Sequence, residues 1–182
     1  MKYDLLIKNG TLIDPAQRIH AAKDVAFAQG TVAAVGDDLA AAEAREVIDA
    51  RNRYVSPGFI DIHVHVYPGV SHYGIEPDPT CLARGATTVV DAGSAGSDTF
   101  PGFRRYVIEV SETRIRAYLN ISSPGMVSQA IGEFALPEYA NVESACKMIE
   151  ANRDLILGVK VRLLSLIHIS EPTRRTPISY AV

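Results

Sequence analysis

The chain has 182 residues, of which 47% are hydrophobic and 21% charged, a composition typical of a globular protein with one ordinary domain or two small ones. The formal net charge is −3 and no lysine or arginine run occurs, so we predict that nucleic acid is not a partner. No apolar stretch approaches the ~20 residues that span a bilayer, which predicts no membrane partner. The presence of only two cysteines favours a reducing, cytoplasmic location.

The N-terminal part, residues 1–56, is typical of a small antiparallel β module. Asn9-Gly10 lies between two strand-like runs and predicts a two-residue hairpin, and Gln29-Gly30 predicts another. A further short strand is expected at residues 46–50. A module of this length buries little surface by itself, so we expect it to pack against another part of the protein.

From Ser56 onwards the pattern changes to apolar, β-rich runs that alternate with helix-compatible segments. The strand-like runs are 59–66, 86–93, 114–122 and 155–163, and the helix-compatible segments are 77–85, 100–112 and 141–154. The run starts are 27, 28 and 41 residues apart, close to the ~30 residues of one (β/α)8 barrel unit. This order predicts a parallel sheet. Asn141 is the expected cap of the third helix, and Cys81 and Cys146 are expected as small core residues.

The first of these runs carries two histidines in the sequence PGFIDIHVH. Residues i and i+2 of a strand share a face, so His63 and His65 are expected to point the same way and to reach one zinc ion. Two core histidines with backbone partners would have the same spacing. The position near the C-terminal end of a barrel strand favours the metal site. The flanking isoleucines and valines predict that the strand is buried.

The fourth run, LILGVKVRL, places Lys160 on one face with Gly158 and Arg162. A lysine that faces a barrel interior is desolvated, which favours the neutral amine. A neutral amine reacts with carbon dioxide to form a carbamate, whose two oxygens are able to bridge two metals. A lysine that snorkels at the strand end has the same sequence pattern.

These motifs together carry a resemblance to a known family. PGFIDIHVH resembles the metal-binding signature of the amidohydrolase superfamily, cyclic amidohydrolase branch, and LLIKNGTLID with VSPGFID resembles the β-sandwich that precedes its barrel. GATTVVDAGSAG and IEANRDLILGVKVRL are similar to the amidohydrolase/deacetylase or dihydroorotase-like subgroup. The resemblance covers residues 1–163.

The resemblance implies an α/β fold: the N-terminal part of a (β/α)8 TIM barrel, with about four strands at residues 57–163, preceded by a urease-like β-sandwich module at 1–56. It implies that His63 and His65 bind one metal and that carboxylated Lys160 bridges two divalent ions, zinc by preference. A hydroxide between these ions would attack the carbonyl of a small-molecule amide or ester. The resemblance also implies a homo-oligomeric enzyme.

Four further residues are candidates for orienting the metal ligands or lining the substrate mouth. Asp61 is expected either to orient a ligand histidine or to seat its own strand. Asp91 and Asn120 lie at strand ends, where loop capping is the alternative role. Tyr67 stands where dihydroorotases usually carry an arginine that clamps the substrate carboxylate, so this position disfavours dihydroorotase activity.

The resemblance also implies a longer enzyme, because its pattern includes histidines on strands five and six and a proton-shuttle aspartate on strand eight. We therefore expect the 182-residue chain to be an inactive N-terminal fragment. Residues 164–182 resemble a translated sequencing-adapter read-through and are expected to be non-native, which would remove His168 as a ligand. The leading hypothesis is a deacetylase-like metal-dependent hydrolase of C–N or acyl ester bonds. The alternatives are a true dihydroorotase, a non-catalytic dihydropyrimidinase-like scaffold, and a β-rich interaction module with a disordered remainder.

Overall fold

The computed structural model describes residues 1–132 and 136–162, and the expected non-native tail at 164–182 lies outside this part. The chain divides into two compact units, the first at Met1–Pro57 and the second beginning at Gly58. The strands of the first unit are β1 (Tyr3–Lys8), β2 (Thr11–Asp14), β3 (Ile19–Ala22), β4 (Asp24–Ala28), β5 (Thr31–Gly36), β6 (Ala44–Asp49) and β7 (Tyr54–Val55), with a 3-10 turn at Ala41–Glu43.

The first unit contains two small sheets, with strand orders β5-β4-β1-β6 and β3-β2-β7. The expectation of a purely antiparallel module is wrong, because β1 pairs with β6 and β2 pairs with β7 in parallel. The hairpin predicted at Gln29-Gly30 is confirmed: β4 and β5 are antiparallel, and the two turn residues have φ values of 53° and 73°. A type I′ turn requires a positive φ at both positions.

The hairpin predicted at Asn9-Gly10 is wrong, because β1 and β2 belong to different sheets. Asn9 has a φ of 63°, and Gly10 is not among the glycines with positive φ. A Cβ on Gly10 would lie 2.6 Å from Val55 Cγ2 and 3.0 Å from Ala50 Cβ. The glycine therefore allows close packing at a corner between two sheets, rather than the mirror-image turn of a hairpin.

The second unit is built from strands β8 (Phe59–Val64), β9 (Ala86–Asp91), β10 (Arg114–Asn120) and β11 (Ile156–Lys160). Its helices are α1 (Pro77–Thr80), α2 (Phe100–Phe103), α3 (Gln129–Gly132) and α4 (Val142–Ala151), with 3-10 turns at Leu82–Arg84 and Pro137–Tyr139 and a π-helical turn at Arg104–Ile108. The four strands form one parallel sheet in chain order, as predicted. This sheet and its core contradict the interaction module with a disordered remainder.

Residues of α2 and α4 share one buried core of aromatic and aliphatic side chains with residues of the sheet. Phe100 and Phe103 of α2 are fully buried, and their rings are 6.0 Å apart in an edge-to-face arrangement. In α4, the Asn141 cap is confirmed, since its side chain accepts a hydrogen bond from Ser144 N at 3.0 Å. Cys146 is exposed, contrary to expectation, because it lies off the α4 face that packs on the core. No helix in the described part of the chain is long and apolar enough to cross a membrane.

The predicted burial of the first barrel strand is wrong. Phe59, Ile60 and Ile62 of β8 are 64%, 64% and 69% exposed. In the described part of the chain β8 is an edge strand with β9 as its one neighbour, and these three side chains lie outside the buried core cluster. An apolar sequence indicates that a strand favours burial, but it does not show that another part of the chain covers the strand.

Candidate metal centre

The C-terminal ends of the four parallel strands meet at one edge of the sheet, which is where barrel enzymes place their chemistry. Val64 at the end of β8 pairs with Asp91 at the end of β9, and Asn120 at the end of β10 pairs with Lys160 at the end of β11. His65 follows β8 directly. The sequence therefore brings a histidine, a carboxyl group, an amide and an amine to the same edge.

The two predicted ligand histidines lie next to each other. The ring centroids of His63 and His65 are 5.8 Å apart, with the planes at 80°. A register shift interrupts the β8–β9 ladder between Asp61 and Val64, so this is not the regular strand that the sequence predicts. Burial, together with neighbouring positive charges, lowers the pKa of both rings, and that of His65 falls to about 4. His65 is therefore neutral at pH 7, the form in which imidazole binds metals.

A hydrogen-bond chain orients the His65 ring. His65 Nδ1 lies 3.0 Å from Ser94 Oγ, and the backbone N–H of Ser94 donates to Asp91 Oδ1 at 2.6 Å. Because Nδ1 contacts Ser94, Nε2 is the ring nitrogen that would bind a metal ion, and ligand histidines are commonly held by an outer partner of this kind.

Lys160 is buried at the end of β11, with 6% of its surface exposed. Gly93, with a φ of +91°, makes room for it: a Cβ there would lie 2.7 Å from Lys160 Cβ and 2.8 Å from Lys160 Cγ. Burial, assisted by the charge of Arg162, lowers the pKa of the amine. The Lys160 charge in turn lowers the pKa of both His63 and His65, so the amine lies within electrostatic range of both rings. Among the described residues, no carboxylate forms an ion pair with Lys160.

Two of the other candidates are tied to backbone amides. Asp61 Oδ1 accepts from His63 N at 3.0 Å, a contact within its own strand. Asp91 is fully buried, and its carboxylate accepts from the backbone N–H groups of Val66, Gly93 and Ser94 at 2.8, 3.0 and 2.6 Å. Burial raises the pKa of Asp91 to about 6, against the effect of these three donors. Asp91 thus joins the segment after β8 to the turn after β9.

The amide of Asn120 also hydrogen-bonds backbone groups of the turns at this edge. Its Nδ2 donates to Gly93 O at 2.9 Å, and its Oδ1 accepts from Ser122 N at 2.9 Å. The side chain is 1% exposed, so it supports the turn that carries Gly93 and Ser94. This matches the loop-capping alternative from the sequence.

Tyr67 does not lie at the substrate mouth expected from the sequence. Its ring is 7% exposed and stacks on Phe103 of α2, with centroids 4.8 Å apart. Its hydroxyl donates to Thr99 O at 3.2 Å. The side chain leaves the strand edge towards the helical layer because it follows the end of β8, where the strand alternation no longer sets its direction.

An aromatic and a cationic side chain that the sequence did not predict lie beside the histidines. The Tyr73 ring lies 5.8 Å from the His65 ring and 4.1 Å from the His72 ring, and the Arg162 guanidinium lies 5.2 Å from the Tyr73 ring centroid. His72 Nδ1 is 2.9 Å from Met126 O. The sequence feature that could have identified Arg162 is its position two residues after Lys160, on the same face of the predicted strand.

Within residues 1–132 and 136–162, no group of three or more His, Cys, Asp or Glu side chains is arranged to hold a metal ion. The candidate centre is thus the histidine pair with the buried amine of Lys160. His168 lies outside the described residues. An amine becomes an oxygen donor only as a carbamate, so the ligand set depends on the chemical state of Lys160.

Curated proteins and solved structures resemble this chain. No protein-family model matches the chain. A curated deacetylase from Brucella anthropi is 38% identical over 139 residues, which cover 76% of this chain and 35% of the relative. The chain spans about a third of the length of the two curated deacetylases that match it over 139 residues.

Solved structures agree in fold. The crystal structure of a dihydroorotase matches with a TM-score of 0.76 and 34% identity, covering 86% of this chain and 42% of that one. The crystal structure of an adenine deaminase matches with a TM-score of 0.73 and 30% identity, covering 86% and 40%. The predicted N-terminal part of a (β/α)8 barrel is therefore confirmed, and the chain belongs to the amidohydrolase superfamily.

Proposed function

We propose that the protein is a metal-dependent hydrolase of amide or acyl ester bonds with a deacetylase-like substrate. The observation that carries this proposal is the meeting of His63, His65 and buried Lys160 at the C-terminal edge of one parallel sheet. The deacetylase names of the similar curated proteins support the substrate class. The proposal concerns the whole protein.

The chemistry of the donor set fits divalent metal ions. His65 is neutral because its pKa is about 4, and its Nδ1 is engaged by Ser94, which leaves Nε2 as a donor. The lowered pKa of Lys160 favours the neutral amine that reacts with carbon dioxide. We propose that His63 and His65 hold one ion and that carboxylated Lys160 bridges two, with zinc as the preferred metal. Bound divalent ions lower the pKa of water and polarise a carbonyl group.

The residues of the chain give this centre its shape. Ser94 orients the His65 ring, Asp91 holds the backbone of Ser94, and Gly93 leaves room for the Lys160 side chain. Asn120 supports that turn through its bond to Gly93 O. These contacts hold the donors before a substrate arrives, which reduces the reorganisation that binding requires.

Two alternatives are less well supported. In a dihydroorotase, an arginine two positions after the second histidine would bind the substrate carboxylate. Here Tyr67 occupies that position, and its ring is packed in the core against Phe103. A non-catalytic scaffold would not require a buried lysine beside a histidine pair, since burial of an amine without a partner is unfavourable.

Further features of the whole protein stay predictions. We propose that residues 1–56 form a β-sandwich module and that residues 57–163 begin a metal-dependent hydrolase barrel. We also propose a small-molecule amide or ester as the partner, a homo-oligomeric state and a cytoplasmic location. The low cysteine count supports the location.

The test is hydrolysis of acetylated amino and hydroxy acids by the whole protein, with dihydroorotate as the competing substrate. We expect turnover of an acetylated substrate that a chelator abolishes and added zinc restores. His63→Ala should abolish it, whereas His20→Ala is the matched control because His20 is an exposed histidine of the first unit. Turnover that survives both chelation and His63→Ala would refute the proposal.

A further inference from the structure

A cationic group outside the proposed ligand set lies at the same edge of the sheet. Arg162 follows the end of β11 by two residues, and its guanidinium lies 5.2 Å from the centre of the Tyr73 ring. The Tyr73 ring is 5.8 Å from the His65 ring, which is itself 5.8 Å from that of His63. Arg162, Tyr73 and the histidine pair therefore form one continuous group of contacts.

The planar face and the N–H edge of a guanidinium group make different kinds of contact. Stacking on an aromatic ring engages the planar face, whereas a carboxylate is bound through the N–H edge in a bidentate fork. Contact with Tyr73 is therefore compatible with binding of an anion by Arg162. It also restricts the side chain before the anion arrives, which lowers the entropy lost on binding. Tyr73 is 46% exposed, so the ring borders solvent that a substrate would enter.

We propose that Arg162, held against Tyr73, binds a carboxylate of the substrate and so selects acyl derivatives of carboxylic acids over neutral analogues. This rests on the proposed hydrolase function. The cation is supplied from the end of the fourth strand rather than from the segment after the first, where Tyr67 is turned into the core. The scissile acyl group would then lie towards His63 and His65, with the acid towards Arg162.

The experiment compares two substrates that differ in one charge: an N-acetyl amino acid and its carboxamide. We expect the whole protein to prefer the acid, and Arg162→Gln to lower kcat/KM for the acid by about 10- to 100-fold, the value of a charged hydrogen-bonded contact. The carboxamide should change by less than about 3-fold, since the lost contact is one that it never makes. Arg153→Gln is the matched control, because Arg153 is an exposed arginine of the same unit.

A second variant keeps the test valid if Arg162→Gln does not fold. Tyr73→Leu removes the aromatic ring beside the guanidinium and leaves the charge, so the preference for the acid should fall by a smaller factor, about 2- to 5-fold. A preference for the acid that survives in a folded Arg162→Gln protein would overturn the inference. So would an equal loss on both substrates, and so would an unchanged preference in Tyr73→Leu if only that variant folds.

Calorimetry separates this inference from the proposed function. If the wild-type protein hydrolyses neither these two substrates nor any acetylated hydroxy acid, the hydrolase proposal fails on its own. Calorimetry then compares the affinity of the wild-type protein and of Arg162→Gln for the N-acetyl amino acid. Binding that weakens by about 10-fold or more in the variant supports the carboxylate site, and equal binding, or no binding to the wild-type protein, contradicts it.

Discussion

Gly93→Ala is the substitution whose effect follows most directly from the geometry. Gly93 has a φ of +91°, a conformation that costs an L-residue about 1–2 kcal/mol. The new Cβ would also meet Lys160 Cβ at 2.7 Å and Lys160 Cγ at 2.8 Å. Overpacking of this kind costs about 1–3 kcal/mol. We therefore expect the free energy of unfolding to fall by about 2–5 kcal/mol in total.

Gly69→Ala is the matched control for this substitution. Gly69 also has a positive φ, +75°, but no atom lies within 4 Å of its hypothetical Cβ. It should therefore lose only the conformational part, about 1–2 kcal/mol. The entropy that alanine removes from the unfolded chain is the same at both positions and cancels in the comparison.

The assay is thermal and denaturant unfolding of the two variants and the wild-type protein. A difference of about 1–3 kcal/mol between the variants corresponds to about 2–12 °C in Tm for a protein of this size. In a Lys160→Ala background the cost of Gly93→Ala should be smaller, because the Cγ contact is gone while the Cβ contact persists. Equal stability of Gly93→Ala and Gly69→Ala would refute the view that Gly93 exists to admit Lys160.

Three further predictions follow from single contacts. Asn141→Ala should lower the free energy of unfolding by about 0.5–2 kcal/mol through loss of the α4 cap, whereas Asn141→Ser should retain most of it. The pKa of Asp91 is raised from 3.8 to about 6, so its contribution to stability is fully present below about pH 4 and is lost as pH rises through 6. The free energy of unfolding of the wild-type protein should therefore fall by about 3 kcal/mol between pH 4 and pH 7 on account of Asp91, and Asp91→Asn should remove this decrease. Ser94→Ala should weaken metal binding by about 10- to 100-fold because His65 loses its orienting partner, with Ser97→Ala as the control.

Each of these has a clear contradictory result. Equal stability of the alanine and serine variants at position 141 would show that the side chain does not cap α4. An unchanged pH slope in Asp91→Asn would mean that the buried carboxyl group titrates near its ordinary value. Metal affinity that falls as much in Ser97→Ala as in Ser94→Ala would indicate general loosening of the turn after β9 rather than loss of the His65 contact.

The sequence was sufficient for the parallel sheet and for the location of the candidate ligands. Apolar runs at the spacing of a barrel predict the four strands, and their order needs only the rule that successive βα units are neighbours. His63, His65 and Lys160 were identifiable as candidates from the H-x-H spacing and from a lysine within an apolar run, and their role as metal ligands stays a prediction. These features depend on local pattern, which the sequence carries in full.

The features that were mispredicted depend on tertiary neighbours. Asn9-Gly10 has the composition of a hairpin turn, but the close approach of Val55 gives Gly10 another purpose. The apolar sequence of β8 does not indicate whether another layer covers these residues, which are exposed. The Tyr67 ring stacks on Phe103, a contact that the strand pattern does not predict. The partnership of His65 with Ser94 joins residues 29 positions apart, which no local pattern encodes.

The proposed metal centre requires His63, His65 and Lys160 to bind metal together, and metal content tests this most directly. Elemental analysis of the whole protein, purified without added metal, should find divalent metal ions in stoichiometric amount, with zinc foremost. His63→Ala with His65→Ala, and separately Lys160→Ala, should each lose most of that metal while His20→Ala keeps it. Undiminished metal in a folded protein that lacks these three side chains would contradict the account.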